Sequence, residues 1–227
     1  MKLPPIVLVT GTDTGVGKTI TTAAVTAALH QRGRTVAVYK PCQSGNVVGD
    51  SDCAEVTRLA DPLTTEAGVV LQEPMAPVPA AVLDEVTLPL LDVHAGRIRE
   101  LSAAHDHVLV EGAGGLLVEL DHDGGTLADL GTRLGDSAAF VVVARSALGT
   151  LNHTALTLEA LDRRTLPVVG VVLGSWPVTP GAVERSNRAA ITSWPVPFLG
   201  AIPVDASGLD PADFRAHSCA WLEGLPA

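Results

Sequence analysis

The chain has 227 residues, 47% of them hydrophobic but only 3% aromatic, and a net charge of −10. Such a length fits one domain across residues 1–227, with a core of Val, Leu, Ile and Ala that suits a buried parallel sheet under alanine-rich helices. The acidic balance, without a Lys/Arg-rich run, excludes nucleic acid and anionic membrane as main partners, and no apolar segment approaches the roughly 20 residues of a membrane span.

Ile6–Thr10 is an apolar, mostly β-branched run that leads into GTDTGVGKT, and Thr19–Gln31 reads as a helix stopped by Gly33. Strand, Gly-rich turn and helix in that order make a phosphate-binding P-loop. The loop's N–H groups form a nest for anionic oxygens, and the helix aims its positive end at them. Lys18 then reaches the β- and γ-phosphates, and the Thr19 hydroxyl ligates Mg²⁺. The spacing departs from the standard by one residue: Gly11 stands five residues before Gly17, and Thr12 takes the usual first-glycine place.

Thr35–Lys40 is a second strand, which sets Lys40 at a carboxyl end, where open α/β sheets bind ligands. Gln43–Ser51 is a polar loop carrying Ser44 and Asp50, and Ala54–Ala60 is expected to be helical. Asp52, near that start, is either a helix N-cap or a site carboxylate. Pro62–Pro89 is proline-rich and reads as an irregular excursion over one end of the sheet, a candidate substrate wall.

Leu90–Ala104 reads as an amphipathic helix, and His107–Glu111 as the next strand, closed by Gly112, Ala113, Gly114 and Gly115. A carboxylate at the end of an apolar strand is where a P-loop enzyme keeps its second Mg²⁺ handle. The small residues that follow allow close backbone approach to a phosphate. Ala138–Ala144 is a strand leading to a helix that runs through Arg163, with Thr150 or Asn152 as its cap. Leu166–Leu173 and Val196–Pro203 are strands separated by the loop Gly174–Pro180 and a helix over Gly181–Ser193, and the tail from Asp210 reads as a short surface helix. Strands and helices alternate throughout, which predicts a doubly wound, mostly parallel α/β sheet of P-loop NTPase type.

Cys42, Cys53 and Cys219 form no C-x-x-C, and the N-terminus has too short an apolar run for a signal peptide, so a cytoplasmic protein with reduced thiols is expected. His105-x-His107 precedes a strand and reads as solvated loop. No G-x-S-x-G elbow is present, which removes serine hydrolase chemistry.

Lys18, Thr19, Asp52 and Glu111 together point to Mg–nucleotide phosphoryl transfer, and Lys40 to a second anion held near the γ-phosphate. The succession GTDTGVGKT, YKPCQSG, SD, VEGAGG and LGTLNHT resembles dethiobiotin synthetase, from Val7 to about Pro203. The resemblance implies ATP-driven closure of 7,8-diaminononanoate with CO₂ to the cyclic urea dethiobiotin, through a carbamate and a carbamic-phosphoric anhydride. It implies Lys18 and Lys40 as catalytic residues and Thr19, Asp52 and Glu111 around Mg²⁺, with Thr14, Gly15, Val16, Gly17, Lys18 and Thr19 wrapping the phosphates. Thr14, Lys40 and Ser44 would face the diamine or carbamate. The nucleotide site would also take in Gly112, Ala113, Gly114, Gly174, Ser175, Pro203, Val204 and Asp205. Gly149, Thr150, Leu151 and Asn152 would receive the substrate's distant carboxylate from the neighbouring subunit of a homodimer.

Two departures stand out. Family members often carry Glu at the place of Gly15, and many read adenine with an Asn-Asp pair where this chain has Gly174-Ser175-Trp176. Loss of an amide side chain removes base-specific hydrogen bonds, so relaxed base selectivity, with acceptance of CTP or other triphosphates, is expected. Two rival P-loop families fit less well. The amidoligases acting on cobyrinate usually carry a glutaminase domain for which this chain is too short. Partitioning ATPases of the ParA/MinD type place an additional lysine where Asp13 stands here.

Overall fold

The computed structural model describes residues 3–45 and 51–226; Asp50, in the polar loop of the sequence reading, lies outside them. In chain order the elements are β1 (Ile6–Gly11), α1 (Lys18–Gln31), β2 (Val36–Gln43), α2 (Asp52–Ala60), β3 (Thr64–Val70), α3 (Pro77–Leu83), α4 (Leu91–Ala104) and β4 (His107–Gly115). There follow α5 (Leu127–Leu134), β5 (Ala138–Ala144), α6 (Thr150–Asp162), β6 (Val168–Trp176), α7 (Ala182–Thr192), β7 (Phe198–Pro203) and α8 (Pro211–Trp221). The strands form one seven-stranded sheet in the order β3-β2-β4-β1-β5-β6-β7, and every neighbouring pair is parallel.

Both faces of this sheet are covered, which is why its strands are near-continuous apolar runs. Ile6 and Leu8 of β1 pack on one side among residues of α3, α4 and α5, whereas Val7 and Val9 pack on the other among residues of α1, α2 and α8. Each fully buried aliphatic side chain contributes roughly 1.5–3 kcal/mol. Helix α1 is alanine-rich because it is enclosed; Ala23, Ala24, Ala27 and Ala28 are all buried.

Three parts of the sequence reading are corrected. Residues 62–89 are not irregular throughout, for they contain β3 and α3. β3 is an edge strand, half-exposed along its length, so its sequence TTEAGVV carries little apolar signal. The prolines that suggest irregular chain are placed where helices accept them: Pro77 opens α3, whose first-turn N–H groups have no intrahelical partner in any case. Helix α5, which the sequence reading leaves unassigned, starts with a capping box in which Thr126 and Asp129 bond each other's backbone N–H groups. The tail helix α8 is more than a surface helix, because Phe214 and Ser218 are fully buried.

From β1 the chain lays β2 and β3 on one side and returns with β4 between β2 and β1, and from β5 it builds outward on the other side. The reversal falls at the carboxyl end of β1, where the P-loop begins. Ligands in open α/β sheets bind at such a switch point.

Candidate active site

Between β1 and α1 the loop turns on Gly15 (φ +71°) and Gly17 (φ +94°), left-handed conformations that favour glycine. Gly17 also lies against Gly174 at the end of β6. A Cβ on Gly17 would stand 2.3 Å from the Gly174 carbonyl oxygen, and one on Gly174 would stand 2.2 Å from that of Val16. The P-loop is therefore seated directly on β6, backbone to backbone.

Register brings the charged residues together. Tyr39 of β2 lies opposite Val110 of β4, so the next residues, Lys40 and Glu111, emerge side by side. Lys40 Nζ is 2.8 Å from Glu111 Oε1 and 2.5 Å from Asp52 Oδ2. Asp52 is not the helix cap that its position allowed. Ser51 caps α2 by accepting the Ala54 N–H, which leaves the Asp52 carboxylate free to face the site. The Thr19 hydroxyl lies 2.7 Å from Asp52 Oδ1 and 3.0 Å from Glu111 Oε1.

These groups are buried: Lys40 is 5% exposed, Lys18 8% and Glu111 1%. An unpaired charge there would be costly, and the pairing decides the ionisation. Burial pulls the Lys40 ammonium down, but the charges of Glu111 and Asp52 outweigh it and hold the group well above the usual lysine range. Burial likewise opposes ionisation of Asp52, yet Lys40 and Thr19 hold its carboxyl below the usual range. Lys18 is lowered by burial, with Glu111 acting against it; its ammonium folds back onto the Asp13 carbonyl oxygen at 3.1 Å.

The donor set suits Mg²⁺. A hydroxyl and two carboxylates offer hard oxygen ligands, and such a site is completed by substrate phosphates and water. Thr19 has one proton to give, so its two short contacts cannot both be hydrogen bonds at once; a cation among the three oxygens would satisfy them all.

Thr14, Gly15, Gly17, Lys18, Thr19, Lys40, Ser44, Asp52, Glu111, Ala113 and Gly114 line one cavity of about 600 Å³. Its far wall is Pro74, Met75, Ala76 and Pro77, just ahead of and at the start of α3. Several expected site residues lie elsewhere. Val16 is buried beneath the loop. Gly112 packs on α5, where a Cβ would come within 2.6 Å of Leu127 Cδ2. Gly174 and Ser175 end β6, and the Ser175 carbonyl already accepts the Ser146 hydroxyl at 2.9 Å. Pro203 closes β7 opposite Trp176, and Val204 donates to the Trp176 carbonyl at 2.8 Å, with Asp205 next in the chain. Gly149, Thr150, Leu151 and Asn152 open α6; Gly149 takes the cap position at φ +91° and no side chain caps the helix, so neither Thr150 nor Asn152 plays that part. Arg145 pairs with Asp13; a lone basic residue after a strand gives no signal of its own in the sequence.

A family model described as an AAA domain matches residues 6–211. A relative from Mycobacterium avium (strain 104), named ATP-dependent dethiobiotin synthetase BioD, is 49% identical over 97% of this chain and 98% of its own length. The relative of the same name from Mycobacterium tuberculosis (strain ATCC 25177 / H37Ra) is 46% identical, with the same coverage. The chain belongs to the dethiobiotin synthetase family. That membership bears out the ATP-dependent ligase expected from the motifs. Among solved structures, the septum site-determining protein MinD complexed with Mg-ADP from Pyrococcus horikoshii OT3 superposes with a TM-score of 0.57 at 17% identity, covering 99% of this chain and 87% of that one. The cell division ATPase MinD of Pyrococcus furiosus gives 0.53 at 20% identity, covering 99% and 90%. These similarities establish the P-loop NTPase fold.

Proposed function

We propose that this member of the dethiobiotin synthetase family joins 7,8-diaminononanoate and CO₂ into the cyclic urea dethiobiotin at the expense of ATP. The observation that carries the reading is Lys40, held by Glu111 and Asp52 at the wall of the cavity that the P-loop shares with Pro74–Pro77. A carbamate formed on one amine is anionic, and so is the γ-phosphate it must meet. Lys18 and Lys40 offset that repulsion and stabilise the charge that develops as phosphate is transferred to the carbamate carboxyl. The second amine then attacks the mixed anhydride and expels phosphate. No protein nucleophile is required, because alignment of the reactants supplies most of the rate. Thr19, Asp52 and Glu111 would hold Mg²⁺, which neutralises phosphate charge when bound. Thr14 and Ser44 face the diamine, and the α3 wall encloses its chain.

The proposed setting is a cytoplasmic homodimer of one P-loop domain spanning residues 1–227, in which Gly149–Asn152 of each subunit receive the partner's substrate carboxylate. Base selectivity is relaxed in this reading, so that CTP and other triphosphates serve beside ATP. Two features support that: close packing leaves no room for a side chain at Gly174, and Arg188 covers a face of the Trp176 ring at 5.2 Å.

The test is incubation with 7,8-diaminononanoate, Mg²⁺, radiolabelled bicarbonate and, separately, ATP, CTP, GTP and UTP. Acid-stable label in a cyclic urea, absent with Lys18→Ala, is the expected result. No stable label with any triphosphate would remove the synthetase reading, and a large kcat/KM advantage of ATP over every other nucleotide would remove relaxed selectivity.

A further inference from the structure

No step above uses Arg145. It stands one residue beyond β5, on the other side of β1 from the strands that carry Lys40 and Glu111. Its Nη2 pairs with Asp13 Oδ2, and its Nε is buried without a hydrogen-bond partner among the described residues. Asp13 Oδ1 accepts the backbone N–H of Thr14 at 2.7 Å, and the Asp13 carbonyl oxygen accepts the Lys18 ammonium at 3.1 Å. Asp13 is thus in contact with two groups of the phosphate cradle at once. The Thr14 N–H and, against some desolvation, the charge of Arg145 hold its carboxyl below the usual range.

The backbone behind Arg145 is fixed. The Ser146 hydroxyl donates to the Ser175 carbonyl of β6 at 2.9 Å, and the Asn187 amide of α7 donates to the Ser146 and Ala147 carbonyls at 2.9 and 3.1 Å. The guanidinium therefore reaches the P-loop from an anchored segment, with a planar fork suited to a carboxylate.

A carboxylate in the P-loop, one residue before Thr14, is an unfavourable neighbour for a triphosphate. Left bare it repels the anion; paired, it is close to neutral and still orients Thr14. We propose that Arg145 is a positioning residue of the nucleotide site, neutralising Asp13 and clamping the Thr14 end of the P-loop in the shape a triphosphate needs. The proposal rests on the nucleotide-binding role given to this loop above.

Calorimetric titration with the β,γ-methylene analogue of ATP and magnesium chloride measures binding apart from ring closure. Arg145→Met is expected to weaken affinity roughly fivefold, with the loss shrinking at about 0.5 M salt. Arg145→Gln, closer in shape and equally uncharged, carries the same expectation should the Met variant fail to fold. In steady-state assays the nucleotide KM rises while kcat changes little. Adding Asp13→Asn to the uncharged variant is expected to restore affinity to within about twofold of wild type, because the Asn oxygen still accepts the Thr14 N–H without the charge. A purely structural loss would not be repaired by removing a second side chain's charge. Affinity within twofold of wild type for Arg145→Met, or a double variant no tighter than the single one, would overturn the assignment and leave the nucleotide reading standing. Wild-type protein that does not bind the analogue would overturn both.

Discussion

Replacing Lys40 removes a positive charge from a place where the protein has buried two negative ones. Lys40→Met should lower kcat about 10²–10³-fold, the usual range for loss of one charge-stabilising group. It should also lower the melting temperature, because Asp52 and Glu111 are left facing each other. Adding Glu111→Gln is expected to recover the melting temperature without recovering turnover, and steady-state assays beside thermal melts separate the two effects. A second pair, away from the cavity, tests burial rather than catalysis. The Tyr39 hydroxyl lies 2.7 Å from His94 Nδ1, inside the core, and His94 Nε2 has no hydrogen-bond partner among the described residues. Tyr39→Phe strands the imidazole nitrogen and should cost about 1–3 kcal/mol, whereas Tyr39→Phe with His94→Leu removes both polar groups and should cost less. Burial holds His94 below its ordinary value of 6.5, against a smaller opposing effect of Asp121. The unfolded chain binds a proton on His94 that the folded chain refuses, so this contribution is present above the ordinary value of 6.5 and is lost as pH falls below it. Chemical denaturation at several pH values should therefore give a shallower acid loss in the double variant than in wild type.

At the scale of elements, the join between the P-loop and β6 is the least forgiving contact near the site. Gly174→Ala forces a methyl group toward the Val16 carbonyl and should destabilise the protein by roughly 1–3 kcal/mol while weakening binding of any triphosphate, as denaturation and calorimetry would register. The same contact marks where the sequence was hard to read. Gly174 stood out as a missing amide side chain, yet the structure accounts for it by packing, which motif spacing does not encode. By contrast β1, the P-loop, β4 and β5 were legible because fully buried parallel strands are plain apolar runs, each followed at its carboxyl end by glycines or site residues. Edge strand β3 was not, since half-exposed backbone pairing leaves no apolar pattern in TTEAGVV. Helix α3 was hidden by prolines that sit harmlessly in its first turn. Helix α5 could have been found: Thr126-x-x-Asp129 is a capping signature, and Leu127, Leu130, Gly131 and Leu134 share the buried face behind it. Lys40 and Glu111 were expected to end their strands, whereas β2 runs on to Gln43 and β4 to Gly115; the two residues follow the last β2–β4 pair, Tyr39 and Val110, and their contact depended on β2 and β4 being neighbours, which only the strand order reveals.

For the whole molecule, the proposed homodimer predicts sharing of work between subunits. Lys40→Met disables the P-loop half of a site, and Asn152→Asp, which sets a negative charge in the first turn of α6, should disable the half that receives the substrate carboxylate. Mixed and allowed to exchange subunits, the two inactive variants should regain part of the activity, because some sites then combine both intact halves. A mixture that stays inactive despite demonstrated exchange would confine each site to one chain. The net charge of −10 disfavours contact with a polyanion, so activity should be indifferent to added DNA.

The ammonium of Lys40, lodged against Asp52 and Glu111, makes the protein its own counter-ion. A divalent cation arriving alone must compete with a charge already tethered in place, and it gains no phosphate oxygens in return. Loading should then be ordered: magnesium chloride titrated into the nucleotide-free protein should give no saturable heat, and a chelator should leave the melting temperature unchanged to within about 2 °C. Once a triphosphate is present it supplies the missing ligands, and the same titration should saturate. The metal would enter as cargo of the nucleotide, and the displaced ammonium would be free to turn toward the reacting groups at the moment it is needed there.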